Sequence, residues 1–237
     1  MRNSPGSGWG SISGAARASY FTERLSPDEC REFESLRTYS AYPSGVTLFV
    51  EQELPDNVLF LLAGQVKLSL NSTAGRRMIL GVACPGETLG LSSAFSGSRY
   101  DMTAETVSQC RVASMARGAF LEFMRRHPSA YRNVAREVCL ECARACAKVR
   151  RLGLAVTASA KLVRFLLDQC AVTPQTKGST RLICALTHEE IGECIGASRE
   201  TVSRLFCDFR SRELLQSRGS TLIISDRKAL EAYAGVE

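Results

Sequence analysis

The sequence predicts an α+β protein with a β-roll in its N-terminal half, a long dimerisation helix and a winged helix-turn-helix at its C-terminal end. Three patterns carry this expectation. Short β-rich runs punctuated by turn residues extend from Tyr42 to Met115, apolar residues recur at alternating gaps of four and three from Tyr131 to Val156, and a capped pair of helices followed by a hairpin begins at Leu186.

At 237 residues, with 45% hydrophobic and 23% charged side chains, the chain has the balance of a globular protein and the length for two modest domains. That excludes disorder of the whole chain. No apolar run approaches the roughly 18 residues that cross a bilayer, and the N-terminus lacks the apolar core of a secretory signal, so the reading is cytoplasmic with no membrane partner. A net charge of +6 and a pI near 8.9 suit an anionic partner without identifying one. The ten cysteines are read chiefly as interior thiols, with metal sites and a disulfide framework as alternatives.

In chain order, Met1 to Ala18 is rich in Gly and Ser and reads as a flexible tail. Ser26, Pro27, Asp28 and Glu29 then mark a helix start, with Ser26 as N-cap and an end near Leu36. The runs Val46–Val50, Val58–Leu62, Val66–Leu70, Met78–Val82 and Cys110–Ala113 have the spacing of a small antiparallel barrel or roll, with no helix expected until Phe120. From about Pro128 to Val156 a long helix carries Tyr131, Ala135, Val138, Cys142, Ala145, Val149, Leu152 and Val156 as a heptad seam. A second copy in a symmetric dimer would cover that seam; packing on the chain's own roll is the alternative. Arg132, Arg136, Glu141, Arg144, Lys148 and Arg151 form the other face, which is expected to be solvated.

The segment from Leu186 to Phe209 is punctuated residue by residue. Thr187 and Glu190 make a capping box, and a helix runs from His188 to about Ile195 with Ile191 and Ile195 facing inward. Gly196 supplies a left-handed stop, Gly192 permits a close approach, and Ser198 caps the second helix. A rotation of about 100° per residue puts Val202, Leu205 and Phe209 on the inner arc. The same rotation groups Arg199, Glu200, Ser203 and Arg204 on the opposite, N-terminal face, where guanidinium forks and side-chain oxygens can read base edges in a major groove. Glu213-Leu214-Leu215, a turn over Ser217–Ser220 and Thr221–Ile224 then make a wing whose Arg218 can meet phosphate. Double-stranded DNA is the partner these residue types fit.

These residues resemble the Crp/Fnr regulators, most closely in IGECIGASRETVSRL and the wing, and the order of roll, long helix and winged helix is similar from about Tyr20 to the end. The resemblance implies a homodimeric transcription factor on a palindrome with a TGA-like half-site core such as TTGA or GTGA, with RNA polymerase as a further partner. It implies that Glu200 and Arg204 read that core, that Ser203 adds a thymine-side contact, and that Arg199 resembles an extra arginine of the cyclic-AMP receptor branch. Thr187 and Ser198 join the implied DNA-contacting set.

The stretches VLFLLAGQVKLSL and GRRMIL likewise resemble the family's cyclic-nucleotide-binding fold. There a Gly-Glu pair holds the ribose and an Arg-Ser or Arg-Thr pair the phosphate. The matching stretch GLSSAFSGSRYDMTAE puts Gly90 and Leu91 at the first pair and Ser98 and Arg99 at the second, and these four are the expected effector pocket. Leu91 cannot accept a hydroxyl hydrogen bond, which disfavours cyclic AMP, although Arg99 could meet another anion. The effector and any cofactor stay unidentified. The N-terminal region holds only Cys30, against an iron–sulfur cluster of the Fnr type, and the presence of only His127 and His188 disfavours haem.

Cys139, Cys142 and Cys146 leave buried interface thiols, thiol chemistry and metal binding open. They are read as spread over about half a turn, awkward for a single ion, with Cys142 on the seam where a parallel dimer would set it against its mate. The alternative function is therefore a cysteine-dependent redox or metal-responsive protein whose helix-turn-helix is secondary. No phosphate loop, HExxH or nucleophile elbow is present, so no catalytic residue and no metal ligand is assigned and an enzyme is not expected. The expected division is a tail over 1–18, a sensor domain over 19–120, a dimerisation helix over 121–156 and a DNA-binding domain over 157–237.

Overall fold

The computed structural model describes residues 20–22, 25–154, 157–170, 180–184, 186–218 and 221–233; the tail expected over 1–18 lies outside them. Helix α1 (Pro27–Ser35) opens on the expected cap: Ser26 Oγ accepts from the Glu29 N–H, and the Glu29 carboxylate accepts from the Ser26 N–H. Then follow β1 (Thr38–Tyr42), β2 (Thr47–Phe49), β3 (Asn57–Ala63), β4 (Val66–Asn71), β5 (Arg77–Ala83), β6 (Thr88–Leu89), α2 (Leu91–Ser96), β7 (Thr103–Thr106), β8 (Cys110–Ala116) and α3 (Arg117–Arg126). The strands form two antiparallel four-stranded sheets, ordered β1-β8-β3-β6 and β2-β7-β4-β5.

Strand β3 explains the packing of the roll. Successive side chains leave a strand on opposite faces, so Leu59 and Leu61 enter the core between the sheets with Phe49, Val66 and Val112. Val58 and Phe60 enter a second core with Phe21, Phe33, Phe120 and Phe123 beneath the helices. Burial on both faces is why this strand reads as a continuous apolar run rather than an alternation. The helices come earlier than expected. Helix α2 precedes Phe120 because Leu91 and Ala94 bury in the second core, and α3 starts at Arg117, whose Nε donates to Ala94 O at 2.7 Å.

After a 3-10 turn at Pro128–Ala130, α4 (Tyr131–Leu154) supplies the long helix, and Val156 lies outside the described residues. Tyr131, Val138 and Val149 are exposed in the single chain, Val149 at 71%, as are Ala135, Cys142 and Ala145, while the side chain of Leu152 lies outside the described residues. The charged face is only partly the solvated one expected: Arg132, Arg136 and Arg144 are exposed. Glu137 and Lys148 are buried there and Glu141 is half-buried, because that face packs on the chain's own roll and C-terminal half.

The C-terminal half comprises α5 (Ala158–Cys170), β9 (Thr180–Ile183), α6 (His188–Ile195), α7 (Arg199–Ser211), β10 (Leu215–Arg218), β11 (Thr221–Ile224) and α8 (Arg227–Tyr233). Strands β10, β11 and β9 make one antiparallel sheet in that order. The hairpin begins at Leu215 and not at Glu213, whose φ of 58° makes it a turn residue. Strand β9 adds a third member that the expectation lacked, pairing Leu182 with Leu222. Thiol burial also differs from the expectation: Cys110 and Cys194 are buried, Cys30, Cys84 and Cys184 are intermediate, and Cys139, Cys142, Cys146 and Cys207 are exposed.

Candidate nucleic-acid interface

Helix α6 starts at Thr187, whose side chain accepts from the Glu190 N–H while Glu190 accepts from the Thr187 N–H at 2.8 Å. It stops at Gly196, in the left-handed region at φ 68°. Gly192 allows the turn to close: a Cβ there would lie 2.5 Å from Ala197 O, so any larger residue would push α7 away. Ser198 caps α7 through the Thr201 N–H at 3.2 Å.

On α7, Val202, Phe206 and Phe209 are buried against α5 and α6, whereas Leu205 is only half-buried. Phe206, absent from the expected inner set, belongs to it because it stacks on the His188 ring, with centroids 4.8 Å apart. The other face exposes Arg199, Glu200 and Arg204, and Thr187 and Ser198 are exposed at the helix starts. Hydrogen bonding to the backbone at the helix start and to Ser198 holds the Glu200 carboxyl below its ordinary range, so it presents an anionic acceptor. Ser203 is half-buried, its Oγ 2.9 Å from His188 Nδ1. Burial and the nearby charges of Arg210 and Arg199 keep His188 below its ordinary pKa, hence neutral at pH 7. His188 therefore orients Ser203, a role that sequence reasoning missed. Arg218 ends β10, and its side chain lies outside the described residues.

The helix-turn-helix docks on the roll through buried charge. Lys67 on β4, 5% exposed, reaches Glu105 at 2.8 Å and Glu190 at 2.7 Å. Burial alone would lower its pKa, yet the two carboxylates outweigh that and raise it. Arg77 Nε on β5 donates to Glu193 at 2.9 Å. Lys148 Nζ, from α4, donates to Ile79 O at 2.8 Å and Cys194 O at 2.5 Å, tying the roll to the end of α6. Ile79 itself is fully buried in the core of the C-terminal half. A crevice of about 930 Å³ runs beside this junction, between Arg76, Met78 and Arg199. The acids of α6 facing a basic β4–β5 hairpin were a legible signal of this junction.

The expected effector residues do not form one cradle. Gly90 is left-handed at φ 72° and Leu91 is fully buried in the apolar core, while Ser98 and Arg99 are exposed. Ser98 Oγ pairs with Ser96 Oγ at 2.7 Å, and Arg99 donates to Gln52 O at 2.7 Å. Carboxylates gather where α4 meets α2 and the roll. Burial and the charge of Glu137 push Glu141 up to about 7, against the opposing pull of Ser92 and Arg144. Burial also raises Glu87, although Arg144 lies 2.9 Å away.

Residues 160–233 match the model of the Crp-like helix-turn-helix domain, and residues 40–127 match that of the cyclic nucleotide-binding domain. A CRP-like cAMP-activated global transcriptional regulator of Mycobacterium tuberculosis is 28% identical over 194 residues, covering 81% of this chain and 86% of that protein. The transcriptional activatory protein AadR of Rhodopseudomonas palustris is 28% identical over 221 residues, covering 93% and 91%. The structure of FixK2 from Bradyrhizobium japonicum superposes with a TM-score of 0.74 at 22% identity, covering 83% of this chain and 96% of that one. A cyclic-nucleotide-binding roll joined by a long helix to a helix-turn-helix defines a DNA-binding transcription regulator. The chain belongs to the Crp/Fnr family of these regulators. No helix among the described residues is long and apolar enough to cross a membrane.

Proposed function

We propose that the chain is a homodimeric, cytoplasmic transcription factor that binds palindromic duplex DNA with a TGA-like half-site core and has RNA polymerase as a further partner. Arg199, Glu200, Ser203 and Arg204 read base edges in this proposal, and Thr187, Ser198 and Arg218 meet phosphate. The observation that carries it is the division of α7, with Val202, Phe206 and Phe209 buried behind an exposed face of Arg199, Glu200 and Arg204. An arginine fork can pair with guanine O6 and N7, and a carboxylate accepts from cytosine N4. The dimer rests on the exposed apolar seam of α4, which two copies would bury against each other.

The sensor half answers to an effector other than cyclic AMP. The buried Leu91 offers no acceptor for a ribose hydroxyl. Repeated selection of duplexes from a random library by the full-length protein tests the DNA reading. Enrichment of a two-fold symmetric site with TGA-like halves is expected; enrichment of a single asymmetric element, or of none, would contradict it.

A further inference from the structure

The thiols of α4 are placed differently from the half-turn spread expected of them. At about 100° per residue, steps of three and seven return Cys139, Cys142 and Cys146 to one arc of roughly 60°. All three are exposed in the single chain, beside the exposed Val138 and Val149, on the face opposite the buried Glu137 and Lys148. This face is a helix-pairing surface with thiols set into it.

The alternating spacing puts Cys142 on the centre line of that surface and Cys139 and Cys146 together on one flank. In a parallel two-fold pair, symmetry sends the flanks of the two helices to opposite sides of the axis. Four sulfurs therefore do not converge as a tetrahedral thiolate site requires, while the two Cys142 residues face each other across the axis. Facing centre-line positions of a close-packed helix pair fall within the window of about 4.4–6.8 Å between Cα atoms that a disulfide spans. We propose that Cys142 and the Cys142 of a second copy form an intersubunit disulfide when the dimer meets a peroxide, an inference that rests on the dimer reading above.

The chemistry balances. The sulfur of one Cys142 attacks the O–O bond of hydrogen peroxide, becoming a sulfenic acid and releasing one water after proton transfer. The facing thiol attacks that sulfur, forms the S–S bond and displaces the second water, so two thiols supply the two electrons that reduce the peroxide. The bond makes the dimer independent of protein concentration.

The test uses full-length wild type, Cys142→Ser and the double variant Cys139→Ser/Cys146→Ser. Each is sedimented in reductant, then treated with stoichiometric hydrogen peroxide and separated on a non-reducing gel with mapping of crosslinked peptides. The expected result is a reduced dimer in every case, with a Cys142-to-Cys142 bond in wild type and the double variant and its complete loss in Cys142→Ser. A reduced dimer that forms no such bond, or a crosslink that persists in Cys142→Ser, overturns this inference alone. A reduced wild type that sediments as a monomer overturns the dimer reading and this inference with it.

Discussion

Charge is used in opposite ways on α7 and at the junction between the roll and α6. On α7, Arg199, Glu200 and Arg204 stand in solvent and bring no partner into the core, while apolar side chains anchor the helix from behind. At the junction, Lys67 and Lys148 are buried, and Lys67 reaches Glu190 on α6 while Lys148 reaches both Ile79 O on the roll and Cys194 O on α6. An exposed charge contributes little to folding and is free to meet a partner, whereas a buried charge commits its surroundings to one arrangement. The outward charges should therefore govern DNA affinity without affecting stability, and the inward ones should do the reverse.

The largest expected effect on stability is at Lys148. Lys148→Ala leaves the carbonyls of Ile79 and Cys194 without this buried donor and should cost about 3 kcal/mol in urea unfolding, since each unsatisfied buried group costs about 1–3 kcal/mol. A loss within the scatter of surface substitutions would mean that the junction does not hold the two halves together. Glu141 should have a smaller, pH-dependent effect. Its carboxyl is raised in the fold from an ordinary 4.5 to about 7, so the stability that goes with its proton is complete below 4.5 and is lost as pH rises towards 7. Wild type should weaken between pH 5 and pH 8 by about 1–3 kcal/mol more than Glu141→Gln. Parallel pH profiles for the two proteins would place Glu141 in solvent.

The same contrast governs how much was legible in the sequence. The N-cap at Ser26, the capping box at Thr187, the Gly196 stop and the burial of Val202 and Phe209 on α7 follow from bonds and rotations within a few residues and appear in the structure as expected, whereas Phe206 takes the inner place expected of Leu205. Strand β1 did not show because its residues are mostly exposed and carry no alternation, and α2 did not because its burial depends on distant Phe60 and Phe120. Lys148 reads in isolation as one more solvated residue on a charged helix face. Its partners are 69 and 46 residues away, and only the tertiary fold brings their carbonyls to its ammonium. Leu91 was legible as a departure from the family's ribose pair, but its place in the apolar core was not.

The central claim is that the outward face of α7 reads base edges. Fluorescence anisotropy at fixed salt, on a selected palindrome and on a random duplex of equal length, tests it with wild type, Arg204→Ala and the wing variant Arg218→Ala. Arg204→Ala should lose about 1–3 kcal/mol on the palindrome and little on the random duplex, with unfolding stability unchanged to within about 0.5 kcal/mol. Arg218→Ala should weaken both duplexes alike, as a phosphate contact does. Equal losses on the two duplexes for Arg204→Ala would show that Arg204 touches only phosphate, and would contradict the assignment of the recognition face.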